Sequence, residues 1–507
     1  MSTGPLSTIR LPRPLLLSLW ILVAAITYRA CNRLDADYDL WWHIVMGSDM
    51  LARAAIERFD LYSFTAAMEP VLNHEWLSEV IMTLVYSAWG ETGLILWRHG
   101  MTLVIILLAL NLARMRSRHD LSRIVVILCF VLVLSPGISF RVHLFTMLFL
   151  LILITMIYMA RDNGRLPRVL PVGLLFLLWS NLHGGFILGL LVWYIYAGEA
   201  LVLKGYKAGF PGTVLLVFVP LFVTLVNPYG IDLWRFIVSE LTNPFSSRYI
   251  SEWQRFSFEA RELPFFGVCL LTWFSYFVSA REKDVAETCV LALASLMGCM
   301  AVRHTPLFVI LTFAAMALHV DGLIERILKA GGTGATLSQL PVYIVSIVFG
   351  IIALLFVLTG TPERCAIAID DDPLPVQSVA FIKTNNLQGN LWVPLHWGGY
   401  VLYHLYPDIK VSIDGRWAMV YPRDVMKDTM TFAYEGWGKR WKEILERYNA
   451  TFALVETANP AFLEMERDRD WEFIFREKEC GLLARRTFME SLDRDMVIPG
   501  KQEPRWP

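Results

Sequence analysis

Residues 14–43 read PLLLSLWILVAAITYRACNRLDADYDLWWH. An apolar run fills the first half. It gives way within a few residues to Asp35, Asp37 and Asp39, set directly before Trp41-Trp42-His43. A bilayer core takes about 20 apolar residues per helix, and aromatic residues collect where lipid meets water. The stretch therefore predicts a membrane helix that delivers a group of acids to its outer end. Arg10 and Arg13 precede the run as they would in a signal peptide, but no small-residue cleavage site follows it, so it reads as a retained helix.

Similar runs recur through the first two-thirds of the chain, near 92–113, 122–136, 143–160, 168–181, 185–203, 212–226, 264–280, 286–301, 305–320 and 341–360. With the first they make about eleven spans. The composition agrees: 56% of the 507 residues are hydrophobic and 18% charged, with a mean hydropathy of +0.49, against roughly 45–50% apolar and about 25% charged in soluble domains. A net charge of −1 leaves no positive field for a polyphosphate backbone, which excludes nucleic acid as a partner. The seven cysteines are scattered without metal-ligand spacing and predict neither a disulfide framework nor a zinc site.

Short cytoplasmic loops are rich in Lys and Arg. Arg10/Arg13, Arg114/Arg116/Arg118/Arg123, Arg161/Arg165/Arg168, Lys204/Lys207, Arg281/Lys283 and Arg326/Lys329 fall on one side of an eleven-span count. The expectation is a multi-pass protein of the inner (plasma) membrane with its N-terminus cytoplasmic. Residues 1–360 form the membrane domain, with a long first outer loop at 31–91. Pro362 and Asp370-Asp371-Asp372-Pro373 mark a linker, and 361–507 reads as a small extracytoplasmic α/β domain, since short strands near 391–394, 409–413 and 452–455 alternate with helical patterns.

The first outer loop is far longer than a helix connection needs, and such loops are usually functional. Two carboxylates spaced D-x-D, Asp37 and Asp39, suit a divalent cation such as Mg or Mn, or one serves as general base while the other positions it. Capping of the following helix is the competing reading. Glu75 lies between His74 and Trp76 in the same loop, and His43 closes the acidic string. Ionisable groups at membrane depth usually face a protein interior or wet cavity. Arg98, Arg141, His143, His183, Glu252, Arg303 and His304 all fall on the outer side and, with His43 and His74 of the first loop, are candidates for substrate binding; the arginine fork matches phosphate. No organic cofactor motif is present.

The string Asp37-Tyr38-Asp39-Leu40-Trp41-Trp42-His43, followed by Tyr62-Ser63-Phe64-Thr65 and His74-Glu75-Trp76, resembles the first-loop pattern of a group of bacterial membrane proteins placed near the GT-C class of glycosyltransferases. In the tail, Trp397-Gly398-Gly399-Tyr400 and Ile413-Asp414-Gly415-Arg416 look similar to the same group. The resemblance implies a GT-C-like α-helical polytopic membrane protein that moves a sugar from a polyprenyl-phosphate carrier to a lipid, glycan or protein acceptor, usually with inversion. It implies that Asp37 or Asp39 deprotonates the acceptor and that Glu75 assists or binds a metal. Arg98, Arg141 and Arg303 would meet the carrier phosphate. A transporter of lipid-linked glycans and a non-catalytic subunit holding a partner through its tail are the alternatives. A transporter would place its ionisable groups near the midplane and carry inverted repeats, neither of which this sequence displays.

Overall fold

The computed structural model describes residues 11–32, 34, 37–205, 209–241, 243, 248–257, 259, 262–330, 339–358, 367, 374–435, 438–491 and 496–498. Arg10, Asp35, Lys207, Pro362 and 370–373 lie outside the described residues. Packing divides the chain into two units, Met1–Arg33 with Leu96–Cys365, and Leu34–Ile95 with Ala366–Pro507.

The first unit is helical. Among the described residues six helices, at Arg13–Cys31, Trp76–Arg116, Asp120–Gly137, His143–Arg161, Phe186–Leu203 and Val302–Ile327, are long and apolar enough to cross a membrane. Five shorter apolar helices occupy Val169–Leu182, Pro211–Val223, Leu263–Val278, Val285–Met300 and Val342–Leu355. Continuous Leu, Ile, Val and Phe drive this, because backbone polar groups in hydrocarbon must be satisfied within the segment itself. Helix Thr305–Ala330 is the hub, packing against Asp120–Leu134, His143–Arg161, Leu263–Val278 and Val285–Met300. Its Phe308, Val309, Ile310, Phe313 and Ala314 have no exposed surface. The long helix Trp76–Arg116 bends at Gly90 (φ 60°, ψ −148°).

The second unit joins the loop after the first helix to the tail. Five strands, β1 (Gly389–Trp392), β2 (Ile409–Val411), β3 (Phe452–Glu456), β4 (Trp471–Arg476) and β5 (Cys480–Arg485), form one sheet in the order β2-β1-β3-β5-β4. β1 is parallel to β2 and β3, with Leu391 beside both Val411 and Phe452. β5 runs antiparallel to β3 and β4. Trp392, Trp441, Ile444, Leu445, Trp471 and Leu483 make its core, and Phe64 from the first loop packs against it.

The Tyr62-to-Thr65 string extends the sheet at β2. Ser63 bridges Val411 in parallel, Val411 N donates to Tyr62 O at 3.3 Å and Phe64 N to Val411 O at 3.1 Å. Thr65 Oγ1 donates to Ser412 O at 2.5 Å. Arg416 then locks the loop down. Its fully buried guanidinium donates to Asp414 through Nε (2.8 Å) and Nη2 (2.6 Å), and to Asp60 Oδ1 at 2.5 Å. Burial works against its charge, but Asp414 and Asp60 outweigh that and hold it firmly protonated.

Helix Tyr38–Arg53 starts at an Asp37 N-cap and stops at Ala54 in the left-handed region (φ 50°). It crosses the start of helix Trp76–Arg116 at Gly47, where a Cβ would stand 2.5 Å from Glu79 O and collide with Thr83 Oγ1. Thr83 Oγ1 donates to Ile44 O at 3.3 Å across that crossing. Gly47→Ala is expected to cost about 1–3 kcal/mol by overpacking, read as a lower unfolding midpoint of the purified protein. An unchanged midpoint would mean the two helices separate freely.

Candidate active site

Asp37 ends an extended segment (φ −87°, ψ 141°), and its Oδ1 accepts the Asp39 N–H at 3.0 Å. This is the capping geometry, one half of the reading above. One turn on, Asp39 Oδ1 accepts the Trp42 indole N–H at 3.1 Å. The tail supplies the surface beneath. A Cβ on Gly415 would strike Asp39 Oδ1 and lie 2.5 Å from Trp42 Nε1. The Asp414-Gly415-Arg416 string thus combines a locking arginine with a residue that lets backbone approach Asp39. Trp41, on the neighbouring helical position, packs edge-on against Tyr400 (5.2 Å) and Tyr403 (5.4 Å).

The same helix carries His43 toward a second pair of acids. Its Nδ1 lies 3.3 Å from Glu79 Oε1, and both side chains are buried. Asn73 orders the group from the loop side, donating from Nδ2 to Glu79 Oε2 at 2.5 Å and accepting the Glu75 N–H on Oδ1 at 3.0 Å. His74 Nε2 stands 3.4 Å from Glu75 Oε1. Burial pulls the His43 ring down, but the Glu79 bond and the charges of Glu75, Glu79 and Asp39 outweigh it and raise its pKa above the usual imidazole value.

Ligand atoms of His43, Glu75 and Glu79 all lie within 4.8 Å of one another. Two ligands of one ion at about 2.2 Å each stand no more than about 4.4 Å apart. A small inward rotation closes the set, and two carboxylates with one imidazole are a donor set that a divalent ion such as Mn accepts. Asp37 and Asp39, the expected ligands, are not in this trio. Glu79 is, and the sequence reading passed over it; a charged residue in the apolar pattern of 77–90, four positions after Glu75, was the available signal.

The first unit gathers another set. Arg141 Nη1 donates to Glu252 Oε1, and His143 Nε2 meets Gly137 O at 2.7 Å. Arg303 lies over the Trp253 ring at 4.5 Å, with His304 6.1 Å from the same ring. Burial works to raise the Glu252 carboxyl, but Arg141, Arg303 and His143 hold it below the usual range. So Arg141, His143, Glu252, Arg303 and His304, distant in sequence, converge. Arg98 and His183 belong to the same unit, each with its own hydrogen-bond partners. Arg98 is 1% exposed, and its Nη2 donates to the carbonyls of Cys31 (2.8 Å) and Ile138 (3.2 Å). His183 Nδ1 accepts the Gly185 N–H at 3.0 Å and meets Thr146 Oγ1 at 2.8 Å, which ties it to the turn between two helices.

No family model and no curated protein matches the chain. Solved structures do. The archaeal oligosaccharyltransferase AglB from Archaeoglobus fulgidus, in complex with an inhibitory peptide and a dolichol-phosphate, superposes over 87% of this chain and 69% of its own, at a TM-score of 0.56 and 11% identity. The Archaeoglobus fulgidus oligosaccharyltransferase tethered to an acceptor peptide containing the NVT sequon covers the same shares, at a TM-score of 0.52 and 10% identity. The chain therefore shares the overall fold of these oligosaccharyltransferases.

Proposed function

We propose that this chain is a membrane glycosyltransferase that moves a sugar from a polyprenyl-phosphate carrier to a hydroxyl-bearing envelope acceptor, a lipid, polysaccharide or protein, with inversion. The observation that carries the reading is the buried His43–Glu75–Glu79 trio, held within the long first loop of a chain with this fold. Solved proteins of the same fold have been captured with a dolichol-phosphate and with an acceptor peptide. The apolar helices among the described residues, six long and five short, are assigned as spans of the inner membrane. Alternate Arg/Lys-rich loops assign the N-terminus to the cytoplasm and the 361–507 domain to the far side.

In this reading the acceptor oxygen attacks the anomeric carbon while its proton passes to the carboxylate of Asp37 or Asp39. The bond from that carbon to the carrier phosphate breaks, and the phosphate leaves with the electron pair. Arg141 and Arg303 are assigned to the phosphate, where guanidinium forks neutralise the growing charge. His43, Glu75 and Glu79 would hold a divalent cation, which supplies Lewis-acid stabilisation of the leaving group when bound. Asn73 keeps Glu79 aimed, the supporting role that outer partners play in metal sites.

The test is turnover of purified full-length protein on polyprenyl-phosphate sugars with Mn or Mg and with a chelator. Sugar transfer that needs the cation, and that Glu79→Gln lowers by about 10–100-fold, is the expected result. Folded protein that releases no polyprenyl phosphate from any donor, or one indifferent to chelation, rejects the catalytic or the metal part respectively.

A further inference from the structure

A polar cavity lies in the first unit, away from the Arg141–Glu252 set. Helix His143–Arg161 runs from one site toward the other, and its 19 residues separate them by roughly 27 Å at 1.5 Å per residue. A cavity of about 300 Å³ is lined there by Arg116, Arg161, Lys204 and Arg281 on the positive side and by Asp162, Glu282 and Asp284 on the negative, with Tyr158 and Leu318. Neither sequence motifs nor the proposed transfer reaction uses it.

Its charges are built in, not scattered. The Arg161 side chain is 9% exposed and donates from Nη2 to Asp284 at 2.5 Å, with buried Glu199 3.0 Å away. Its guanidinium also lies over the Tyr158 and Tyr196 rings at 5.6 and 5.0 Å, while Nη1 has no hydrogen-bond partner. Arg116 stacks on Tyr158 at 4.6 Å and reaches Asp162 at 3.3 Å and the fully buried Glu287 at 3.4 Å. Glu199 opens a π-turn, Glu199–Leu203, that ends helix Phe186–Gly198 and carries Lys204 to Asp284 at 2.7 Å. Such π-turns are uncommon and concentrate at functional positions.

We propose that this cavity binds a zwitterionic phosphodiester–ammonium group, the chemistry of a phosphoethanolamine headgroup. A ligand of one sign would face three or four like charges, whereas a zwitterion meets both sets. Arginine forks suit the phosphate oxygens, and Asp162 and Asp284 suit the ammonium. The volume equals roughly ten waters, which leaves room for that group. Val202 and Leu203 on the same π-turn are 79% and 62% exposed and offer apolar surface along which an acyl chain can run.

The test is native mass spectrometry of delipidated, full-length protein with phosphatidylethanolamine and phosphatidylglycerol, repeated with soluble phosphoethanolamine as competitor. Lys204→Ala and Asp162→Ala alter partly exposed members of the lining; Arg235→Ala, in an exposed pair elsewhere, is the control. Wild type should prefer phosphatidylethanolamine, and each lining variant should weaken it by about tenfold, one charge-assisted hydrogen bond. Competition by soluble phosphoethanolamine supports the same chemistry from a free ligand; failure to compete supports the lipid. Equal binding of both lipids by wild type overturns the proposal even if a variant misfolds, as does unchanged binding in both lining variants.

Discussion

Asp37→Asn is expected to lower glycosyl transfer by about 10²–10⁴-fold, the usual worth of a positioned general base, while moving stability by no more than a few tenths of a kcal/mol. The asymmetry follows from the two jobs the residue holds. As an N-cap, Asp37 accepts the Asp39 N–H, and the Asn carbonyl oxygen accepts that bond equally well. As a base it needs a carboxylate, which the amide is not. Asp37→Ala separates the jobs from the other direction, losing turnover and about 1 kcal/mol of stability together. Asp39→Asn is the companion, since Asp39 holds the Trp42 N–H and lies against Gly415; a loss of turnover only there would transfer the base to that position. Turnover of both Asn variants at the wild-type rate would leave these acids as helix caps and remove the assigned base. The measurements are initial rates on a polyprenyl-phosphate sugar and thermal unfolding in the same detergent.

Part of this could be read from the chain because each signal was local. An apolar run of a given length predicts a helix regardless of what it packs on, so Pro14 to Cys31 and its successors were legible. The acids before Trp41 and the Asp414-Gly415-Arg416 string were legible as unusual. Their relation was not. Nothing in periodicity pairs Ser63 with Val411, or Arg416 with Asp60, across more than 300 residues, since side-chain pattern fixes which face a strand buries and not which partner it meets. Nor does the pattern tell what an arginine within an apolar run meets: two carbonyls at the ends of other segments accept hydrogen bonds from Arg98 Nη2. Glu79 was hidden as one acid averaged into an otherwise apolar helix face.

Arg416→Met should destabilise the second unit by about 3–5 kcal/mol, a large fraction of the 5–15 kcal/mol that typically holds a domain together. The methionine fits the volume but leaves Asp60 and Asp414 buried with no countercharge. Asp60 would retain Ser63 Oγ at 2.5 Å and the N–H groups of Ser63 at 2.9 Å and Tyr62 at 3.4 Å, and Asp414 the Tyr421 hydroxyl at 2.9 Å and the backbone N–H of residue 416 at 3.0 Å, all neutral donors that leave two desolvated carboxylates without a countercharge. The expected sign is protease cleavage in the 59–72 loop and release of the tail at temperatures where wild type resists. Arg416→Lys should rescue poorly, because one ammonium cannot make the paired contact to Asp414 while reaching Asp60. The triple variant Arg416→Met, Asp60→Asn, Asp414→Asn should recover much of the loss, since unpaired charge and not the missing bonds dominates the cost. Wild-type protease resistance in Arg416→Met would show that the strand bridge at Ser63 and Val411 anchors the loop without help. In that event Asp39 and Trp42 would keep their seat on Gly415, and the arginine lock would have no part in shaping the site.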